Sequence, residues 1–72
     1  MSLGQYLTEA GRAGFRASAP SDRRRWELRN GAGHALELYP RADLISRWIW
    51  RGRGISITGY NLAALTEFLV KV

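Results

Sequence analysis

The chain has no cysteine, one histidine, one lysine and one methionine in 72 residues. Each shortage closes a route. Without cysteine there is no disulfide framework, and His34 alone cannot supply a tetrahedral metal site, so neither usual staple of a mini-protein is at hand. Missing cysteine also fits a reducing cytosol. No apolar run approaches the roughly 20 residues of a membrane span, and Glu9, Arg12 and Arg16 interrupt what could otherwise begin a signal peptide between Ser2 and Ala19. The expectation is a cytoplasmic protein, nucleoid-associated in a bacterial or phage setting.

Catalysis is equally short of material. A triad needs a base oriented beside a nucleophile, and His34 stands just after a turn with no matching Ser and Asp in local reach, so an ordinary strand histidine is expected. Glu27 and Glu37 could in principle do acid and base work, but among so many arginines they read as salt-bridge partners on solvent-facing positions of adjacent strands. No enzyme activity, metal or cofactor is expected.

What the chain has in quantity is arginine. The formal charge is +5, and all ten arginines lie between Arg12 and Arg53 against Asp22, Glu27, Glu37 and Asp43, a balance of +6 for that segment. A G+C-rich genome can account for arginine in place of lysine, but not for the clustering. A guanidinium is a planar fork of donors that pairs with phosphate and stacks on rings, so the middle of the chain is suited to a polyanion.

Seventy-two residues make one domain, and a chain of that size buries a modest share of its surface, which favours help from a partner subunit. Leu3, Tyr6, Leu7 and Ala10 have helical spacing, and Gly11 and Gly14 limit that helix. Ser18, Pro20, Ser21 and Asp22 read as a linker, so residues 1–21 are expected to form an arm or short helix outside a domain spanning 22–72, with an extra strand near Phe15–Ala17 as the alternative. From Trp26 the period becomes two. Trp26 and Leu28 alternate with Glu27 and Arg29, Asn30-Gly31-Ala32-Gly33 is a turn, and Leu36 and Leu38 share one face of a second strand. Pro40 ends that strand or marks it as an edge. Leu44–Arg51 and Ile55–Thr58 read as a third and a fourth strand, separated by Gly52 and Gly54. The last element is a helix capped by Thr58 or Asn61, with Leu62, Leu65, Leu69 and Val72 in one apolar stripe that Phe68 widens. So broad a stripe in so small a chain suggests a dimer interface made by Leu62, Leu65, Phe68 and Leu69.

The strongest functional constellation is Arg47-Trp48-Ile49-Trp50-Arg51-Gly52-Arg53. On a strand Trp48 and Trp50 share one face, while Arg47, Ile49, Arg51 and, absent a bulge at Gly52, Arg53 share the other. Two readings of the rings stay open: large side chains that a small core needs, or platforms that stack on unpaired bases while arginines follow the backbone. Arg51-Gly52-Arg53-Gly54 is not a nucleotide-binding loop, since a strand rather than a helix follows it. Arg23, Arg24 and Arg25 lead into the first strand beside the same basic surface, and with Arg29 they complete the phosphate-contacting set.

The junction Gly54-Ile55-Ser56-Ile57, the basic residues before it and Leu62, Leu65 and Leu69 after it resemble the PC4-type transcriptional coactivator domain, as Leu36-Glu37-Leu38-Tyr39 resembles that family's second strand. The resemblance spans Trp26 to Leu69. It departs at Gly59 and Tyr60, where the family has proline and an acidic residue, at Leu62, where it has an aromatic, and at Ser46–Trp50, where its loop is rich in lysine. It implies an α+β fold with a curved four-stranded antiparallel sheet followed by a C-terminal helix, a helix-mediated homodimer, and sequence-tolerant binding of single-stranded DNA in transcription, replication or repair. By position it makes Arg51 and Arg53 phosphate contacts and, by analogy alone, Trp48 and Trp50 stacking residues. The competing expectations are a protein-interaction module, an adaptor or inhibitor that uses exposed Trp and Arg, and a duplex-binding regulator, which the apolar helix supports less.

Overall fold

The computed structural model describes residues 3–18, 25–42 and 44–71, and it is an α+β protein. Helix α1 (Leu3–Arg12) leads into strand β1 (Arg16–Ser18), followed by β2 (Trp26–Arg29), β3 (Ala35–Arg41), β4 (Leu44–Gly52), β5 (Ile55–Gly59) and helix α2 (Leu62–Lys71). The five strands form one antiparallel sheet in the order β1-β2-β3-β4-β5, a meander with no crossover.

This corrects the expected sheet of four strands. The fifth is β1, only three residues long, whose Arg16, Ala17 and Ser18 face Arg29, Leu28 and Glu27 of β2. Three residues show no period of their own; pairing with β2 is what makes them a strand. The sequence sets the domain boundary near residue 22, whereas in the structure Tyr6, Ala10 and Phe15 already belong to the core.

The exit from α1 explains how Phe15 gets there. Phe15 N–H donates to the Ala10 carbonyl and Gly14 N–H to that of Gly11, with Gly14 at φ 86°. This is the glycine-terminated helix end in which the residue after the left-handed glycine folds back over the last turn. Ala10 and Phe15 are thereby buried together.

Cross-strand partners share a face of the sheet, so the register sorts the side chains without ambiguity. One row runs Leu28, Leu36, Trp50 and Ile57, and the next runs Trp26, Leu38, Trp48 and Gly59. These rows make the core face, joined by Ile45, by Tyr6 and Ala10 of α1, and by Leu65 of α2. A shift in register between Tyr39 and Pro40 bends β3. Among the described residues β2 pairs with this strand only as far as Leu38, and Pro40 lies beyond that pairing, where proline is tolerated in a sheet.

Asn61 starts α2 in two ways. Its side-chain oxygen accepts from Ala64 N–H at 2.7 Å, capping the helix, and its carbonyl accepts from Trp48 Nε1 at 3.0 Å. Phe68 then lies between the two tryptophans, with ring centroids 5.9 Å from Trp48 and 5.1 Å from Trp50. Leu65 is fully buried, and Leu62, Phe68 and Leu69 are half-buried against the same core. The apolar stripe read as a subunit interface therefore packs largely against the chain's own core. Val70, 81% exposed, is the large apolar residue that α2 leaves outside.

Candidate nucleic-acid interface

The opposite face of the sheet carries no helix, and its composition is the inverse of the core. Register assigns it four rows: Arg16, Arg29, Ala35, Arg51 and Ser56; then Glu27, Glu37, Ile49 and Thr58; then Tyr39 and Arg47; and, past the register shift, Arg41 and Leu44. Arg25 joins them through its guanidinium, which pairs with Glu27 at 2.8 Å and Glu37 at 3.4 Å. Among the described residues six arginines thus stand on this face, Arg41 at its far end, against two carboxylates.

The centre of the face is organised by Glu37. The residue is only 8% exposed, and its carboxylate accepts from Arg51 Nε and from the Tyr39 hydroxyl, each at 3.2 Å, in addition to the Arg25 contact. Tyr39, Glu27 and Glu37, in that order of importance, hold the Arg25 guanidinium more firmly protonated than usual. Arg47 lies 4.4 Å over the Tyr39 ring, a cation–π contact that fixes both. Arg51 also donates to Ser56 Oγ at 3.2 Å. The cluster holds its arginines in place and still leaves about half of the Arg25 and Arg51 side chains in solvent. Bridging Glu27 to Glu37 through Arg25 also offsets the repulsion of two carboxylates set directly opposite each other.

Toward the end of the sheet with the turns at 30–34 and 53–54, the face opens into two hollows. One, of about 280 Å³, has Ala35 between Arg29 and Arg51, with Gly33 and Gly52 also lining it and Glu27 and Glu37 on its flank. The other, of about 600 Å³, is lined by Gly14, Arg16, Ala17, Arg29, Asn30 and Gly31. The Asn30 turn between them is well tied: its side-chain oxygen accepts from Ala32 N–H at 3.1 Å and His34 N–H at 3.0 Å. Arg53 sits in the adjoining β4–β5 turn at φ 54°, followed by Gly54 at φ 77°, the two left-handed residues of a tight hairpin.

The structure sorts the predicted site residues into three groups. Arg25, Arg29, Arg47 and Arg51 come together on the open face, with Arg53 exposed at its rim. Arg23 and Arg24 lie outside the described residues. Trp48 and Trp50 are the correction: each is 2% exposed, beneath Phe68, and cannot stack on a ligand. The alternation that placed them opposite Arg47 and Arg51 holds, but α2 covers their side. His34 is half-buried with its ring 4.8 Å from that of Trp50, a packing role. Arg16 is the residue that sequence reasoning missed, because it lay within the presumed linker. The cue available was the alternative strand at Phe15–Ala17, which sets Arg16 on the face opposite Phe15.

Among the described residues, no group of histidine, cysteine or carboxylate side chains could hold a metal ion, and no helix is long and apolar enough to cross a membrane. No family model, curated protein or solved structure matches the chain.

Proposed function

We propose that this chain is a binding protein that holds single-stranded nucleic acid across the open face of its sheet, mainly through phosphate contacts and without reading sequence. The observation that carries the reading is the uncovered face itself, where Arg16, Arg25, Arg29, Arg47 and Arg51 outnumber Glu27 and Glu37 and a Glu37-centred network holds part of the set in place. Guanidiniums spread over a flat surface meet phosphate oxygens wherever a flexible strand lies, whereas a duplex groove calls for a protruding helix or ribbon. The elements β2 to β5 and α2 follow the order that the coactivator resemblance implies; α1 and β1 are additions to it. That resemblance also brings a homodimer, for which Val70 and the outer edges of Leu69 and Phe68 are the surface that α2 has left.

With Trp48 and Trp50 buried, stacking is a small part of the binding free energy, and the tryptophan quenching that stacking rings would give is not expected. A mobility-shift titration with matched single- and double-stranded DNA at two salt concentrations tests the reading. Single strands should bind better, and the affinity should fall steeply with salt. Equal or tighter binding of the duplex would revive the duplex-regulator reading.

A protein-interaction module has one observation in its favour. Strand β5 is an edge of the sheet with no charge and no proline among Ile55–Gly59, the kind of edge that accepts a partner strand. Capture of a protein partner, with no retardation of any oligonucleotide at low salt, would select it.

A further inference from the structure

Among the described residues the open face contains two pairs of like charges set directly opposite each other, and a counter-charge bridges only one of them. Glu27 faces Glu37, and Arg25 bridges the two carboxylates. Arg16 faces Arg29 across β1 and β2 in the same way. Residues so placed have Cβ atoms about 4.5–5.5 Å apart, and like charges there are destabilising. The carboxylates of the described residues are committed elsewhere: Glu9 to Arg12, Glu67 to Lys71, and Glu27 and Glu37 to Arg25 or Arg51. Both arginines are exposed, and both line the hollow of about 600 Å³ whose other walls are Gly14, Ala17, Asn30 and Gly31. Glycines and an alanine around two guanidiniums leave room for a ligand the size of a phosphate group, and among the described residues no negative side chain lines the hollow to repel it.

We infer that Arg16 and Arg29 form a discrete phosphate clamp, in which one phosphate group takes the bridging place that Arg25 occupies between Glu27 and Glu37. A guanidinium fork meets two oxygens of a phosphate, so two forks on one group supply up to four charge-assisted hydrogen bonds and remove the mutual repulsion. The next arginine in the row, Arg51, lies two strand spacings from Arg29, about 9.6 Å, across the small side chain of Ala35. A nucleic-acid strand anchored at the clamp therefore runs across the β-strands along this row, passing over the Ala35 hollow toward Arg51. The clamp rests on the nucleic-acid reading for the owner of the phosphate, but its own chemistry is that of any accessible phosphate group.

The test uses the intact protein, with arginine Nε resonances followed by NMR in two separate titrations, one with inorganic phosphate and one with oligothymidine, and with thermal unfolding of Arg16→Gln and Arg29→Gln alongside. Phosphate should shift the Arg16 and Arg29 signals saturably at concentrations that leave Arg47 unmoved. Each variant should melt roughly 1–4 °C above the parent in phosphate-free buffer, because a repulsion is gone, and should lose the stabilisation that phosphate confers. Each should also bind oligothymidine about tenfold more weakly. If phosphate moves neither signal, or if both variants melt at or below the parent temperature, the clamp is overturned even where oligothymidine still binds elsewhere on the face. If phosphate binds at the pair and oligothymidine does not bind at all, the clamp stands and the nucleic-acid reading falls.

Discussion

The two faces of β4 are built from alternate residues of one nine-residue strand, and what covers them sets their roles. On one side Ile45, Trp48 and Trp50 lie beneath the helices, with Trp48 hydrogen-bonded to Asn61 and Phe68 against both rings. On the other, Arg47 and Arg51 stand in solvent, held by Tyr39 and Glu37. The first face is fixed by apolar burial and the second by hydrogen bonds and ion pairs that water can enter, so one should respond to mutation in stability and the other in binding.

Breaking the closed face has the largest expected effect. Trp48→Ala should cost about 3–5 kcal/mol in urea unfolding, enough to threaten so small a domain. Gly59→Ala on the neighbouring strand should cost about 1–3 kcal/mol, because a Cβ there would run into the Trp48 ring. Neither change touches the open face, so oligonucleotide affinity measured on the folded fraction should stay at the parent value.

On the open face the order reverses. Arg51→Ala combined with Arg53→Ala should weaken binding of every oligonucleotide sequence about equally, by roughly tenfold or more, with a melting temperature lowered by only a few degrees as Glu37 loses one of its partners. With Arg16, Arg29, Arg47 and Arg51 on phosphates, the slope of log K against log salt should be about −3 for a single strand, and each arginine removed should flatten it by about 0.7. A change in sequence preference would point to base readout instead.

Glu37→Gln tests how the two faces trade. It removes the charge that anchors Arg25 and Arg51 but keeps an acceptor in place, so stability should fall by about 1 kcal/mol, a modest figure because both partners are half in solvent. Affinity for single strands should rise a few-fold at low salt, since the face gains net positive charge.

The smallest effect expected is alkaline. Burial of Tyr6 raises its hydroxyl pKa above the ordinary 10.0, so the folded state keeps this proton more tightly than the unfolded chain. Its contribution is fully present below pH 10 and is lost as pH rises through the folded-state value. Tyr6→Phe should flatten that part of the stability profile, read from urea midpoints above pH 10.

Much of this architecture was legible in the residues. Alternation placed Trp48 and Trp50 opposite Arg47 and Arg51, Asn30-Gly31 marked the β2–β3 turn, and Asn61 with its apolar stripe located α2. Two features were not legible, for different physical reasons. Period two says that the tryptophans share a face but not which face the helices cover, a matter of tertiary packing. Strand β1 had only the alternative strand at Phe15–Ala17 as a cue, too short to show a period: Arg16–Ser18 is a strand because β2 offers it an edge and Phe15 is drawn into the core by the turn at Gly14. The consequence for the candidate site is direct, because Arg16 enters it only through that pairing.

Mapping oligothymidine binding by backbone amide shifts, residue by residue, tests the central claim most directly. The expected footprint covers Arg16, Glu27, Arg29, Ala35, Arg47, Ile49, Arg51 and Ser56 and spares α1 and α2. A footprint on the helices, or no shift on the open face at low salt, would contradict the account.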